Sequence, residues 1–234
     1  MSAVRPSPAE SARFGLRIAR LDGAVLDPAG LARLDPDVVI VRLPEGATPP
    51  RPAGYHALDA GLVVTWRGGL SGLTRPPEHP ELGAERESDA AVVTGLVREI
   101  FVGYRNHYAA NPLLDPSAVA EGYAQWASTT LSAGGSAVVL RRAGTPIAVA
   151  VLGAGSSPAR VDLAGVIESE RGAGRYAHLL HAVHEVARAS GATEIVISTQ
   201  AENVRVQRAW RNAGYRPDGR ERIVHLVRSS LLPE

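Results

Sequence analysis

From residue 88 to residue 228 the sequence alternates short apolar runs with amphipathic segments, and this order limits the folds open to the chain. Val92, Leu96 and Ile100 repeat at helical spacing after Ser88-Asp89, a pair typical of helix N-termini. The predicted elements that follow are a helix at 115–131, a β-hairpin at 136–155 turning at Gly144, a strand at 159–167, a helix ending at Ser190, a strand at 193–199, a helix at 202–214 and a strand at 220–227. This order predicts the α/β class, with helices packed on a mixed (α+β) sheet.

The first 80 residues differ from the rest, because 11 of the 17 prolines fall there. Their predicted elements are a strand at 14–21, a short helix at 27–34, a buried strand at 37–43 and one or two strands within 53–70. Residues 71–89 show no sustained periodicity, and Pro76-Pro77 resists regular structure. We therefore predict a small N-terminal α/β domain at 1–80 and a larger domain at 81–234.

Two residue types are missing from the chain, and their absence excludes several chemistries. With no cysteine, disulfides, thiolate metal sites and a cysteine nucleophile are excluded. All 25 basic residues are arginine, which excludes the lysine of a Walker-type phosphate loop and of a pyridoxal Schiff base. His178, His181 and His184 spread over about 120° of a helix, too wide an arc for one ion, so no metal site is expected.

Charge and hydropathy indicate the surroundings in which the chain works. A formal net charge of +1 gives no field that would attract nucleic acid or an anionic membrane. No apolar run approaches the roughly 20 residues that span a bilayer, and the N-terminus has no apolar core of a secretory signal. We expect a cytoplasmic protein without nucleic-acid or membrane partners.

The stretch RGAGRYAHLL, residues 171–180, places a glycine-rich turn between a predicted strand and a predicted helix. Gly172 and Gly174 let backbone amides at the helix N-terminus approach an anion, and Arg171 or Arg175 can add positive charge. The alternative is a connector that binds nothing. A dinucleotide site is disfavoured, because the next strand does not end in the acidic residue that would hold a ribose.

The run from Val161 to Tyr215 resembles the GNAT superfamily of acyl-CoA N-acyltransferases. Three features carry the resemblance: the strand VDLAGVI, the turn Arg171-Gly172-Ala173-Gly174 with its helix, and Asn203 followed by Gly214-Tyr215. The resemblance covers roughly residues 88–228 and implies a GNAT fold beside the smaller N-terminal domain. It also implies that the amides from Arg171 to Tyr176 bind the pyrophosphate of coenzyme A, with acetyl-CoA or another acyl thioester as co-substrate and no metal.

A narrower resemblance concerns the acceptor. The stretch FVGYRNHYAANPLLD, a tryptophan-bearing second helix and a D-VVIVR-P strand at Asp37–Pro44 are similar to the amino-sugar acetyltransferases. The resemblance implies an amine on a nucleotide-linked sugar as the acceptor.

The resemblance also implies a reaction path. Without cysteine the acyl group passes directly from donor to amine in a ternary complex, with the backbone at Val166 and Ile167 donating to the thioester carbonyl. The position of the family's usual general acid, a tyrosine seven residues after Asn203, is taken by Trp210, whose indole cannot release a proton at neutral pH. Either water protonates the thiolate or another group does. His225 is a candidate, or an inert buried residue.

Polar and aromatic residues cluster after the first predicted helix of the larger domain. They indicate either a solvated helix end or an acceptor site, in which His107 would position the amine or act as general base. Glu168 is a second candidate base, and Asp162 either points into the cleft or pairs with an arginine. The cluster comprises Tyr104, Arg105, Asn106, His107, Tyr108 and Asn111.

Two alternatives stay open beside acetyl transfer to a small-molecule amine. One is a tailoring acyltransferase of natural-product biosynthesis that takes its acyl group from a carrier protein, whose pantetheine arm lacks the nucleotide. The other is a non-catalytic GNAT fold that only binds acyl-CoA. Tyr176 stands where a small residue is usual at the end of the loop, and it packs in the core or contacts the donor. The N-terminal domain either flanks the acceptor cleft or builds a homodimer interface.

Overall fold

The structure is a computed structural model that describes residues 3–155 and 157–232. Its helices and strands follow one another as β1 (Arg5–Pro6), α1 (Pro8–Phe14), β2 (Ile18–Asp22), α2 (Pro28–Leu34), β3 (Val38–Pro44), β4 (Tyr55–Gly69), β5 (Leu82–Glu87), α3 (Ala90–Phe101), α4 (Ala118–Ser132), β6 (Ser136–Arg142), β7 (Thr145–Leu152), β8 (Ala159–Val166), α5 (Arg175–Ala189), β9 (Glu194–Gln200), α6 (Val204–Asn212) and β10 (Arg216–Arg228). Short 3₁₀ turns cover Leu70–Gly72, His107–Ala110, Glu168–Glu170 and Ser229–Leu231. No helix in the described ranges is long and apolar enough to cross a membrane.

All ten strands form one sheet in the order β1-β2-β3-β10-β4-β9-β8-β7-β6-β5. The pairs β2–β3 and β8–β9 are parallel and the other neighbours are antiparallel, which confirms the predicted mixed sheet. β10 lies between β3 and β4. The sheet therefore has no break at the predicted boundary between 1–80 and 81–234.

Helices cover both faces of the β5–β9 half of the sheet. On one face α3 and α4 bury residues such as Val93 and Val97 against Val139, Val149 and Leu163. On the other face α5 and α6 pack on the side chains that alternate with these along the strands. This second core comprises Val138, Leu140, Ala148, Ala150, Leu179, Leu180, Val183 and Trp210, among others.

Several local predictions are confirmed by hydrogen bonds and backbone dihedral angles. The side chain of Asp89 accepts from the amide of Ala91 at 2.7 Å and so caps α3. The hairpin β6–β7 turns at Ala143-Gly144, both with positive φ. Gly191 has φ +85 just after α5, as expected of a glycine that ends a helix.

Two local predictions are wrong, and one helix was not predicted. Residues 71–89 contain a strand, β5, which lies at the sheet edge, where exposed Glu85 and Arg86 need no apolar alternation. The strand predicted from residue 14 begins only at Ile18, because Phe14 ends α1 and Gly15 takes the left-handed conformation. No helix was expected at α1, since its one well-buried residue is a charged one, Glu10.

Candidate functional site

The parallel strands β8 and β9 separate toward their C-terminal ends. They pair only over Ala159–Val161 and Ile195–Ile197. Beyond this, β8 stays bonded to β7 and β9 stays bonded to β4, so the two strands leave a gap between them. Ligands of open α/β sheets bind beyond the C-terminal ends of parallel strands, which makes this gap the candidate site.

The backbone of β8 presents one amide to this gap. Ile167 donates its N–H to the carbonyl of Ile147 at 3.0 Å, on the β7 side. Because neighbouring amides of a strand point to opposite edges, the N–H of Val166 faces the gap. Of the two backbone positions predicted to polarise a carbonyl, only Val166 is therefore oriented to do so.

The glycine turn lies at the open end of the gap, between the 3₁₀ turn Glu168–Glu170 and α5. Gly172 and Gly174 have φ of +89 and +74, and a Cβ on either would meet nothing within 4 Å. Across the described part of the chain, no acceptor receives a hydrogen bond from the amides of Gly172 to Tyr176. These amides form the free N-terminus of α5, the geometry that binds an anion.

The two arginines of the turn are held by protein groups. Arg171 donates from Nε to the carbonyl of Val166 and from a terminal nitrogen to that of Ile100, both at 3.1 Å. Arg175 pairs with Glu170 at 3.1 Å, and Arg142 reaches the same carboxylate at 3.0 Å. Both guanidinium groups are thus bound to other protein groups. The backbone amides of the turn are what remains to bind an anion.

Tyr176 and Trp210, the two residues that depart from the family pattern, are hydrogen-bonded to each other. The indole Nε1 of Trp210 donates to the Tyr176 hydroxyl at 3.0 Å. Trp210 is buried and meets Trp66 edge-on, with 6.2 Å between ring centroids. The Tyr176 ring is half-buried and packs on the same core cluster. The ring therefore points to α6, across the base of the glycine turn.

Tyr104 and Asn203 meet at the end of β9. The Tyr104 hydroxyl lies 3.3 Å from Oγ1 of Thr199, and Asn203 donates to the same oxygen at 3.2 Å. Tyr104 comes from the segment after α3 and Asn203 from the start of α6, so both converge on one hydroxyl. Sequence reasoning missed Thr199, although a polar Ser-Thr-Gln ending on an apolar strand was a signal.

His107 and His225 form a buried pair, with 3.0 Å between Nδ1 of His107 and Nε2 of His225. Burial lowers the pKa of His107 to about 3, with a smaller contribution from His225. Burial also lowers the pKa of His225 to about 4. Both rings are therefore neutral at pH 7. The structure brings together two residues that the sequence analysis considered separately.

A second buried polar group, centred on Glu10, lies beside the histidine pair. Glu10 accepts from Arg20 at 2.6 and 2.7 Å, from Ser7 at 2.6 Å and from the Tyr108 hydroxyl. Burial opposes ionisation of this carboxylate, but Arg20, Ser7 and Tyr108 outweigh it and hold the pKa at about 2. The Tyr108 ring packs on His107 with 4.0 Å between centroids. Sequence reasoning missed Glu10, because Arg20 lies on another element and Tyr108 is 98 residues away.

The remaining residues of the predicted acceptor cluster shape the backbone. Asn106 accepts from the amide of Tyr108 at 2.9 Å and donates to the Tyr123 hydroxyl at 2.8 Å. Asn111 accepts from the amide of Leu113 at 3.1 Å. Both asparagines are buried, whereas Arg105 is exposed. The two asparagines therefore hold the turn that carries His107.

Asp162 and Glu168 lie outside any cluster of catalytic groups. The Asp162 carboxylate pairs with Arg160 at 2.6 Å and accepts from Thr130 at 3.1 Å, which is the arginine-paired alternative. Glu168 begins the 3₁₀ turn after β8 and is exposed.

The three histidines of α5 point to different surroundings. His184 is buried and lies 2.8 Å from the Tyr215 hydroxyl. His178 stands edge-on to His79, with 6.2 Å between ring centroids. Within residues 3–155 and 157–232 no three His, Cys, Asp or Glu side chains group as a metal site would need.

No protein-family model matches the chain, and no curated protein matches its sequence. Solved structures do match it. A GCN5-related N-acetyltransferase from Kribbella flavida is 20% identical, with a TM-score of 0.53 over 90% of this chain and 81% of that one. A tandem GNAT protein from the clavulanic acid biosynthesis pathway is 13% identical, with a TM-score of 0.60 over 93% and 76%. A glucosamine N-acetyltransferase region of a fungal multi-domain β-N-acetylglucosaminidase is 15% identical, with a TM-score of 0.52 over 80% and 25%.

These likenesses extend over 90% and 93% of the chain, more than residues 81–234 alone make up. The chain therefore has the fold of the GCN5-related N-acetyltransferases, the GNAT fold.

Proposed function

We propose that this chain transfers an acyl group, most simply acetyl from acetyl-CoA, to the primary amine of a small molecule. The observation that carries the proposal is the gap between β8 and β9, which opens onto the free amides of Gly172 to Tyr176. An extended pantetheine chain can lie between strands that no longer pair, with its phosphates on those amides. The N–H of Val166 then faces the thioester carbonyl, where negative charge develops during attack.

The acceptor amine must lose a proton to attack. In this proposal neutral His107, oriented by His225, positions the amine, and exposed Glu168 takes the proton. Tyr104, Thr199 and Asn203 line the end of β9, where the amine would approach. We propose an amino sugar, linked to a nucleotide, as the acceptor class. The resemblance of residues 101–115 and the fold shared with a glucosamine N-acetyltransferase region support this choice.

One observation favours a second candidate, a donor carried on a protein. Arg171 and Arg175 are bound to backbone carbonyls and to Glu170, so neither offers a free cation to the nucleotide phosphates of coenzyme A. A carrier-bound pantetheine has one phosphate and needs fewer charges. A comparison of acetyl-CoA with an acetylated carrier protein, at equal concentration and with the same amine, separates the two donors.

A thiol-release assay tests the proposal directly. The chain contains no cysteine, so a thiol reagent reports only the thiol released from the donor. We expect turnover of acetyl-CoA with nucleotide-linked amino sugars and none without an amine. Lack of coenzyme A binding in calorimetry, together with turnover of the carrier-bound donor, would favour the second candidate. Lack of turnover with both donors across amino sugars, aminoglycosides and polyamines would contradict the proposal.

The glycine turn gives a prediction with a matched control. Gly174→Ala and Gly191→Ala each place a methyl group at a positive φ in open space, one at each end of α5. Both variants should lose about 1 kcal/mol of stability, because a left-handed residue with a Cβ is strained. Only Gly174→Ala should weaken coenzyme A binding, by roughly 10-fold, since the strain reorients the amides that hold phosphate. Calorimetric titration measures both; equal affinities would place the phosphates elsewhere.

A further inference from the structure

The hydrogen bond between Trp210 and Tyr176 leaves the hydroxyl proton of Tyr176 without an acceptor. An indole N–H can only donate, so the phenol oxygen is the acceptor of the 3.0 Å bond. Within the described part of the chain no group accepts the hydroxyl proton of Tyr176. The phenol is thus held by its oxygen, with its proton free to bond to a group that enters from outside the protein.

The ring of Tyr176 packs on the core that both strands bounding the gap share. Its ring packs on the core cluster that contains Val161 and Val166 of β8 and Ile197 of β9. These are strands that bound the gap on its two sides. The residue also stands in the first turn of α5, directly after the free amides of the glycine turn. A thioester whose phosphate sits on those amides would extend past Tyr176.

We propose that Tyr176 gives its hydroxyl proton to the departing thiolate, and that Trp210 is a positioning residue that holds the phenol oxygen. This role rests on the acyl transfer proposed above. The amine nitrogen bonds to the carbonyl carbon, the carbon–sulfur bond breaks, and sulfur keeps the electron pair. The sulfur then takes the proton of Tyr176. The phenolate regains a proton from solvent, which receives the proton lost by the amine.

The electrostatics of the pair suit this role. Burial raises the pKa of Tyr176 above its usual value, so the phenol carries its proton throughout the neutral range. The Trp210 hydrogen bond acts in the opposite direction and stabilises the phenolate that forms after transfer. Trp210→Phe removes that donor and retains a smaller aromatic ring at the position.

Tyr176→Phe tests the role, with Tyr55→Phe as its matched control. Tyr55 also loses one hydroxyl, which donates to the carbonyl of Pro36 on a part of the sheet away from the gap. We expect Tyr176→Phe to lower kcat with acetyl-CoA by about 100-fold, the usual contribution of a general acid, with little change in donor KM. Trp210→Phe should lower kcat by roughly 10-fold, the value of one hydrogen bond to a charged group. Tyr55→Phe should leave kcat unchanged.

A donor with a different leaving group distinguishes loss of proton donation from a packing defect. An aryl thioester releases a stable thiolate that needs no proton, so the rates of wild type and Tyr176→Phe should converge with this donor. A loss that is equally large with both donors would show a structural role and overturn the proposal. Equal rates with acetyl-CoA would overturn it too.

A binding measurement gives a readout without turnover. Since the chain has no cysteine, the ultraviolet absorbance of a thiolate belongs to bound coenzyme A. The thiol should titrate about one pH unit lower on the wild-type protein than on Tyr176→Phe, because the phenol stabilises the thiolate. Identical titrations would overturn the role of Tyr176 and leave acyl transfer standing. No turnover by the wild-type chain with either donor would instead overturn the proposed function, and the proton transfer with it.

Discussion

Lowering the pH from 7 to 5 should reduce the free energy of unfolding by about 6 kcal/mol. Burial lowers the pKa of His184 to about 3, and the pKa values of His107 and His225 to about 3 and about 4. In the unfolded chain each histidine titrates near 6.5. Below that pH the unfolded state therefore binds protons that the folded state does not bind. His184, His107 and His225 each then contribute about 2 kcal/mol of destabilisation at pH 5.

Urea unfolding at a series of pH values measures this loss. Carboxylates do not obscure it, because Glu10 has a lowered pKa and loses stability only below about pH 4.5. His184→Gln and His225→Asn should each be less stable than wild type at pH 7 and show a flatter decline toward pH 5. A wild-type stability that stays constant between pH 7 and pH 5 would show that these histidines are accessible to protons.

Arg20→Met should destabilise the protein by about 3 kcal/mol at pH 7. The substitution leaves the Glu10 carboxylate buried, with its side chain 5% exposed, with Ser7 and Tyr108 as remaining donors and without a cation. The loss is at the lower end for a broken buried pair, because the Arg20 side chain is half-exposed. The pKa of Glu10 should then rise, since Ser7 and Tyr108 alone offset the effect of burial less than they do together with Arg20.

The pH dependence of this variant provides the decisive comparison. Protonation of Glu10 relieves the defect, so the difference in unfolding free energy between wild type and Arg20→Met should shrink as the pH falls. Arg5→Met is the matched control, since Arg5 pairs with Asp22 on adjoining strands with both side chains mostly exposed. That variant should change stability by less than about 0.5 kcal/mol. Similar losses in both variants would contradict the buried-pair interpretation.

Local patterns in the sequence predicted most of the helices and strands after residue 88. The N-cap Asp89, the hairpin at Gly144 and the apolar spacing of α3 are properties of short segments, and the structure confirms them. The position of β10 between β3 and β4 could not be predicted from local patterns. It joins residues of β3 and β10 that lie 177 to 189 positions apart, and no short-range pattern encodes such a pairing.

The candidate site could likewise be predicted from the sequence only in part. The glycine turn and its helix were predictable, because backbone conformation there follows from Gly172 and Gly174. The bond between Tyr176 and Trp210 was not, although each residue was noticed as unusual for its position. His107 and His225 likewise lie 118 residues apart and meet only through the packing of a turn on the sheet. In each case the proposed role depends on two residues that only the folded chain brings together.

The place of β10 in the sheet has a consequence for synthesis on the ribosome. β3 and β4 leave the exit tunnel early, but the strand that separates them is translated last among the ten. Until then their facing edges lack hydrogen-bond partners, and an exposed strand edge is prone to pair with other chains. We expect the nascent chain to depend on chaperones until residue 228 has emerged, and the sheet to close in one late step.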